Sequence, residues 1–516
     1  MNTRGQVIRN TLFSSVGIYT EYVLGMLTSI IIARHLGPAD FGSYSLVIWL
    51  VAIGVVITNA GLSSAVIKFV AELRGAGRDA QIRSLLAWVR RVQAGFLAVV
   101  LLGGTILFML HGQQLMPGFD HAVLLAILLV TTVLRALYML NVSTAKGFEN
   151  FRATAVIAVI VAPLNLLLIL MVWWLDGPME WFLGTFTASS FAFWWVSRRQ
   201  VAPLLPPAGE CEPLDDATRK RLRSYTTLVA VIVAVSFITA SEVEVLILTL
   251  FDSAASAGQF KVAFQLSTGA LLLVPGVFGA LLLPMMANAL AQGREVASRR
   301  LSMSTTYLAA LAAPLVAFGI VFASEIIHLL YGAAFSPAAF AFACCLAAGL
   351  VSVVSQAASS YLLGSDRQRA LLITVIACSL VKIGLDVVLI RQYGLNGAVA
   401  AFAATSALMG LLVIGLALHY SGARLEWARI VRLLVAAAIA AAAAWTVRGH
   451  LADLPTLAIG GALLAALYAA GTLLLGFWSA ADLRHFQQLH EHLGKGRPAI
   501  VGRLLGWAVR RAETAA

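Results

Sequence analysis

Long apolar runs, separated by short polar or Gly/Pro-rich stretches, set the pattern of this chain. The first runs from Thr11 to Ala33, and a second ends near Phe69 after the link ARHLGPADFGSYSLV, Ala33 to Val47. Each holds 20 or more residues, enough at about 1.5 Å per residue to cross a hydrocarbon core of about 30 Å. The pair reads as a membrane hairpin whose link is a corner at the outer surface. Continuing along the chain gives 14 candidate spans. Six lie within residues 11–197 and six within 224–419, with the sixth, seventh and eighth at 178–197, 224–250 and 259–290; the last two fall at 429–449 and 455–478.

The predicted fold is an all-α polytopic membrane protein of about 14 transmembrane helices. Residues 1–200 form an N-terminal six-helix lobe and 224–420 a second, with 201–223 as a cytoplasmic linker. Helices 13 and 14 occupy 421–478, and 479–516 form a cytoplasmic tail. The linker carries Pro203, Pro206, Pro207 and Pro213 ahead of the basic run RKRLR from Arg219. In the tail, Leu483, Phe486, Leu489 and Leu493, then Ile500, Leu504 and Trp507, recur at helical spacing beside Arg503, Arg510 and Arg511. Such a basic amphipathic helix suits an anionic inner leaflet.

An internal repeat underlies the two lobes. Shifting the chain by 216 residues sets ADFGSYSL (Ala39 to Leu46) on ASAGQFKV (Ala255 to Val262), and a shift of 217 sets KGFENFRA (Lys146 to Ala153) on LGSDRQRA (Leu363 to Ala370). One nearly constant offset across six spans points to duplication. Six is even, so both halves enter the membrane in one orientation, and transporters with parallel repeats place a cavity between the halves near the midplane.

Composition narrows the class. The 516 residues are 60% hydrophobic and only 12% charged, with mean hydropathy +0.89, which excludes an ordinary soluble domain. The net charge of +12 therefore signals topology and not a nucleic-acid partner: threaded from a cytoplasmic N-terminus, about 30 of the 36 Lys and Arg fall on the inner side. Both termini are predicted cytoplasmic in a multi-pass protein. The first run is too long for a signal-peptide core and leads directly into another span. Cys344, Cys345 and Cys378 lie in apolar runs, no His, Cys and carboxylate spacing suits a metal, and no GxxxxGK[ST] loop suggests ATP hydrolysis. No cofactor and no catalytic residue is expected.

Charges within spans are costly, by about 2.5–3.5 kcal/mol, and face a bundle interior or a wet cavity. In span 1, Ser14, Gly17, Glu21, Gly25 and Thr28 make a small polar stripe centred on Glu21, read either as cavity-facing or as a close helix contact through the glycines. Glu242 and Glu244 in span 7 point to nearly opposite sides, and Glu242, on the side of Thr239 and Thr249, is favoured for the cavity. Arg135 in span 4 shares a side with Thr131 and Tyr138; its repeat partner is Ser352, followed by Gln356 and Ser359. Lys382 and Asp386 stand four residues apart in span 11, as a neutralised internal pair or an ion-coupling site. Lys68, near the inner end of span 2, is a headgroup anchor or one of the basic groups at an inner mouth.

The link ARHLGPADFGSYSLV, with GLSSAVIKF (Gly61 to Phe69), LGSDRQRA and GLNGAV (Gly394 to Val399), resembles the polysaccharide transport family of the multidrug/oligosaccharidyl-lipid/polysaccharide (MOP) flippase superfamily. The resemblance covers essentially the whole chain and implies a flippase that moves undecaprenyl-diphosphate-linked oligosaccharide to the outer leaflet of the bacterial inner membrane by alternating access. That places it in O-antigen, lipopolysaccharide or exopolysaccharide synthesis, with the bilayer, the lipid-linked glycan and other polysaccharide assembly proteins as partners. Many such proteins have 12 spans; the additional pair here matches 14-span lipid II flippases and either binds lipid or packs on the second lobe. Within this frame Arg135 is the candidate diphosphate ligand or a partner of Glu21 or Glu242 in a buried ion pair. Lys68, Tyr138, Ser352 and Gln356 join it as candidate substrate contacts. Glu21, Glu242, Lys382 and Asp386 are candidates for coupling to H+ or Na+. A cation-coupled multidrug exporter of the same superfamily and a lipid II flippase are the alternatives.

Overall fold

The computed structural model describes residues 4–116, 119–207, 212–240, 243–272, 279–492, 506–507 and 509–510, with side-chain environments for these except 4–18, 114–115, 232, 234–236, 238–240, 279–281, 284, 485–486 and 489–492. Among the described residues the chain is helical, with no strand. The helices are α1 (Arg4–Asn59), α2 (Leu62–Gly75), α3 (Ile82–Leu115), α4 (His121–Gly147), α5 (Phe151–Trp174), α6 (Met179–Val201), α7 (Asp216–Ala240), α8 (Val243–Phe251) and α9 (Ala254–Leu272). They continue with α10 (Gly279–Gln292), α11 (Arg294–Val321), α12 (Ala323–Tyr331), α13 (Ala338–Gly364), α14 (Gln368–Ser421), α15 (Trp427–Trp445), α16 (Asp453–Leu474) and α17 (Ala480–His492).

Nine described helices are long and apolar enough to cross a membrane: α1, α3, α4, α5, α11, α13, α14, α15 and α16. Of these, α1 and α14 each hold two of the expected spans. The fourteen expected spans are not all of this kind. The sixth corresponds to α6, diluted by a buried row of Ser and Thr, and the seventh and eighth fall on α7–α8 and α9–α10, each pair separated by residues outside the description.

The opening hairpin differs most from its sequence reading. Its fifteen-residue link is helical on both sides of a single break at Gly37 (φ 75°, ψ 175°). A positive φ is open to Gly without steric cost, and Pro38 directly after it suits the first turn of the next segment, where no backbone N–H is required. The GLNGAV turn likewise reduces to a break at Gly394 (φ 53°, ψ −130°), beyond which the Leu395 N–H donates to Asp252 Oδ2 at 3.1 Å. Close to the first break, a Cβ on Gly42 would run into the Ala254 carbonyl and one on Gly258 into that of Pro38. These two glycines, matched by the repeat, let backbones meet where any side chain would separate them.

The chain divides into two compact units: residues 1–262 with 383–398, and 263–382 with 399–516. The division falls beyond the proline-rich linker, because α7 and α8 pack on α1. In the first unit α1 packs chiefly on α5 and α4 on α6, while α2, α3 and the start of α7 enclose a core of Leu62, Phe69, Leu73, Leu85 and Leu222. In the second, α10, α11, α13 and the end of α14 share a core through Met286, Leu301, Tyr361 and Val413. Helices α15 and α16 pack on α11 and α12, with Phe322 against Gly460 and Leu433 beside Phe477. The two additional spans are therefore structural parts of that unit. Glu325 binds Arg448 at 2.6 Å and His328 bonds to Asp453 at one end of this packing.

The linker is shorter and more firmly held than its prolines suggest. α6 runs to Val201, and RKRLR is already helical in α7. Between them Arg83 Nε donates to the Pro206 carbonyl at 2.5 Å, Ser84 Oγ to that of Glu212 at 2.5 Å, and Arg78 binds Asp215 at 3.3 Å. Arg221 forks onto Glu72 at 2.8 and 3.2 Å. Hydrogen bonds from the Thr218 side chain and backbone N–H hold the Asp215 carboxyl below the usual range. In the tail, Leu483 is buried against Val509, Leu473 and Trp478, and Tyr307 donates to Asp482 at 2.6 Å. Burial pushes the Asp482 carboxyl up, but hydrogen bonds from Ser479 and Tyr307 outweigh it and hold it low. Phe486, Leu489, Leu493, Ile500, Arg503, Leu504 and Arg511 lie outside the described side chains.

Candidate functional site

A polar seam joins α4 to α6 inside the first unit. Thr131 and Thr187 share a hydrogen bond at 2.8 Å, Arg135 Nε donates to Ser190 Oγ at 2.8 Å, and Asn141 Nδ2 donates to Ser197 Oγ at 3.0 Å. Thr131 and Arg135 lie one turn apart on α4 and meet Thr187 and Ser190, about one turn apart on α6; Asn141 and Ser197 continue the contact further along the two helices. Polar side chains turned from lipid find donors and acceptors across the helix interface.

Arg135 is the centre of this seam. Its guanidinium lies 4.7 Å from the ring centroids of both Phe186 and Phe193, one turn to either side of Ser190. Tyr138 packs on Phe193 at 4.9 Å, and Tyr44, Tyr138 and Glu21 lie within electrostatic reach of the cation. Among the described residues its terminal amino groups take no hydrogen bond, and no carboxylate comes within 4 Å of it. Arg135 is surrounded by protein yet keeps accessible surface, as a group lining a concavity does. Two rings and one hydroxyl thus fix the plane of the cation and leave in-plane N–H donors for an anion.

The backbone beneath is held by a second buried network. Gln93 Nε2 donates to Asn59 Oδ1 at 2.9 Å and to the Ala136 carbonyl at 3.0 Å, and Asn59 Nδ2 reaches the same carbonyl at 3.3 Å. Buried amides of this kind are stable only when their bonds are made, so α1, α3 and α4 are locked together next to Arg135.

Other candidate residues are placed elsewhere. Glu21 is exposed on α1 and Gly25 has nothing packed over it, so the described part of this stripe is open and not a tight glycine contact; Thr28 instead bonds to the Leu24 carbonyl. The Ser14 and Gly17 surroundings lie outside the description, as does Glu242. Glu244 is buried. Lys68 is exposed and stacks 4.2 Å over Tyr225, beside the linker and its Arg221–Glu72 pair. In the second unit Ser352 is exposed and Gln356 half-buried on α13. Lys382 and Asp386 are both buried on α14. Among the described residues no group of three His, Cys, Asp or Glu is placed to hold a metal ion.

Sequence reasoning singled out Arg135, Thr131 and Tyr138 but missed Phe186, Ser190 and Phe193. The available signal was the Ser/Thr row on α6, which matches that on α4.

These features describe a helical chain rich in helices long and apolar enough to cross a membrane, with an arginine held between aromatic rings in its first unit. The family model described as "Polysaccharide biosynthesis protein" matches residues 7–290, and the chain belongs to that family. No curated protein matches the sequence significantly. Among solved structures, the lipid II flippase MurJ in an inward closed conformation aligns with TM-score 0.70 at 14% identity, over 90% of this chain and 98% of that one. An inward-facing multidrug resistance MATE family transporter of the MOP superfamily aligns with TM-score 0.62 at 13% identity, over 79% and 98%. A mutant form of the Vibrio cholerae MATE transporter VcmN aligns with TM-score 0.55 at 16% identity, over 81% and 97%. The fold is thus that of the MOP-superfamily flippases and transporters.

Proposed function

We propose that this protein moves undecaprenyl-diphosphate-linked oligosaccharide from the inner to the outer leaflet of the bacterial inner membrane by alternating access, for cell-surface polysaccharide synthesis. The observation that carries this reading is the Arg135 cage: a guanidinium clamped between Phe186 and Phe193, tied to Ser190, with its remaining donors unfilled among the described residues. A diphosphate offers oxygens that match those donors, and Tyr138 and Tyr44 add hydroxyls nearby. With the cytoplasm negative, outward movement of two negative charges is favoured by roughly 4–5 kcal/mol per 100 mV, at about 2.3 kcal/mol per charge. Glu21, exposed and within electrostatic reach of Arg135, is the candidate proton carrier for resetting the transporter. Lys382 and Asp386 are a second candidate coupling site.

The test is translocation of a fluorescent lipid-linked oligosaccharide in proteoliposomes, read by quenching of the outer leaflet. Wild type is expected to flip it, Arg135→Ala to lose most of the rate, and Glu21→Gln to flatten its dependence on external pH. Absence of flipping by wild type, with intermediates unchanged in a deletion strain, would sink the proposal. Lipid II is the second substrate to test, because the neighbour that aligns with most of this chain carries that name. Export of cationic drugs is disfavoured by the positive charge at the centre of the cage.

A further inference from the structure

We propose that the C-terminal end of α6 binds the headgroup of an anionic phospholipid of the surrounding bilayer. The face of α6 opposite the seam is unpartnered: Trp181, Gly184, Ala188, Phe191, Trp195, Arg198 and Arg199 follow one another at helical spacing and all are exposed. At its end the face changes character. Phe191 stacks on Trp195 with centroids 6.1 Å apart and planes 19° apart, and Trp194 lies 5.6 Å from Phe191 and 6.2 Å from Trp195. Phe191 remains 50% exposed and Trp195 42% exposed, so the cluster is a surface and not a core.

Each indole then carries a cation. The Arg198 guanidinium lies 5.7 Å from the Trp194 ring and that of Arg199 lies 4.8 Å from Trp195. Among the described residues neither arginine meets a carboxylate, and the indole N–H of Trp194 and of Trp195 meets no acceptor. Other basic groups on this unit are engaged differently: Arg78 and Arg221 bind Asp215 and Glu72. A guanidinium stacked on an aromatic face loses conformational freedom but keeps its edge donors.

Charge and geometry select the occupant. Two edge-exposed guanidiniums and two indole N–H groups suit a phosphate-bearing anion, and the adjoining exposed aromatic cluster offers an apolar wall for the acyl chains attached to it. A phospholipid with a negative headgroup presents both in that order. The site lies on the side of α6 away from Arg135, so it is independent of the substrate reading.

Native mass spectrometry of the detergent-solubilised full chain tests this, with cardiolipin, phosphatidylglycerol or phosphatidylcholine added at equal concentration. Wild type is expected to retain the anionic lipids over phosphatidylcholine, and R198Q/R199Q to lower their apparent affinity about tenfold or more, with melting temperature in lipid-free detergent unchanged. W194L/W195L, which keeps both charges, is expected to lose a substantial part as well. R299Q/R300Q removes an exposed basic pair of α11 that has no aromatic partner among the described residues, and it should retain binding. Equal loss in R299Q/R300Q and R198Q/R199Q would reduce the effect to general surface charge and overturn the proposal. So would unchanged lipid retention in R198Q/R199Q or in W194L/W195L.

Discussion

Residues 144–153 and 361–370 turn the same corner, once in each unit. In the first, the Phe148 N–H donates to the Thr144 carbonyl at 3.1 Å and Asn150 N–H to Ala145 at 2.9 Å; in the second, Ser365 N–H donates to Tyr361 and Arg367 N–H to Leu362, both at 2.9 Å. Every position is offset by 217. Even the left-handed residues coincide, Glu149 at φ 56° and Asp366 at φ 59°. Each corner glycine faces the matching helix as well: Gly147 meets Val70 of α2, and Gly364 meets Ala287 of α10. The same offset carries the cage onto nothing. Arg135 falls on Ser352, Phe186 on Ala403, Ser190 on Ala407 and Phe193 on Gly410, while Thr131 and Thr187 fall on Ala348 and Ala404. Gly410 instead lets Val351 approach to 2.7 Å from where its Cβ would stand. The corner is thus common to both units, whereas the arginine held between two rings has no counterpart at the offset positions.

That asymmetry is most directly broken at Arg135. Replacing it with Ala is expected to lower translocation about 10- to 100-fold, the loss of charge-assisted hydrogen bonds, while Ser352→Ala leaves the rate close to wild type. Adding Ser352→Arg to Arg135→Ala should not restore transport, since Ala403 and Gly410 offer no rings; recovery in the proteoliposome assay would show that the second copy can host the site.

The corner glycines sharpen the scaffold side. A Cβ on Gly147 would sit 2.9 Å from Val70 Cβ and 3.1 Å from the Val66 carbonyl, neither able to swing away, so Gly147→Ala should cost about 1–3 kcal/mol. On Gly364 it would meet the end of Leu290 at 3.2 Å, which can rotate, and Gly364→Ala should be tolerated. Melting temperatures in one detergent decide between them. At the next position but one, Glu149→Gly should raise stability by about 1 kcal/mol by removing a strained left-handed residue, and Asp366→Gly by less, because a short Asp accepts that conformation more readily.

The smallest effect concerns the strap beyond each lobe. Arg78 and Ser84 hold it in the first unit through Asp215 and the Glu212 carbonyl; Arg294 and Ser302 hold 420–424 in the second through the carbonyls of Tyr420, Ser421 and Arg424. Only the first has a carboxylate with a lowered pKa. A lowered folded-state pKa stabilises above the unfolded value, about 3.9 for Asp, and the contribution fades as pH falls through the folded value. The hydrogen-exchange protection of amides 212–215, after division by the intrinsic rate at each pH, should therefore fall in acid, and Asp215→Asn should abolish that dependence, while protection at 420–424 stays constant.

Much of this could be read from the chain alone. Apolar runs, the offset of 216–217 and an arginine stranded in span 4 depend on composition and spacing, and the cost of a charge in hydrocarbon makes Arg135 conspicuous before any neighbour is known. Periodicity gives a helix face but does not say which helix the face meets. Phe186 and Phe193 therefore looked like ordinary span residues until α6 was set against α4, and Lys68 became a neighbour of Tyr225 once α7 lay on α2. The link at Ala33 to Val47 read as a corner because Gly, Pro and Asp break local patterns; its non-helical backbone is a single residue, Gly37, and Gly42 beyond it packs on Ala254 and Gly258. The sequence by itself determined a duplicated, helical, membrane-spanning chain with a charge to accommodate. Only the tertiary structure decided what surrounds that charge, since contacts 50 or more residues apart along the chain, such as Arg135 with Ser190 and Phe186, are set by how the helices pack.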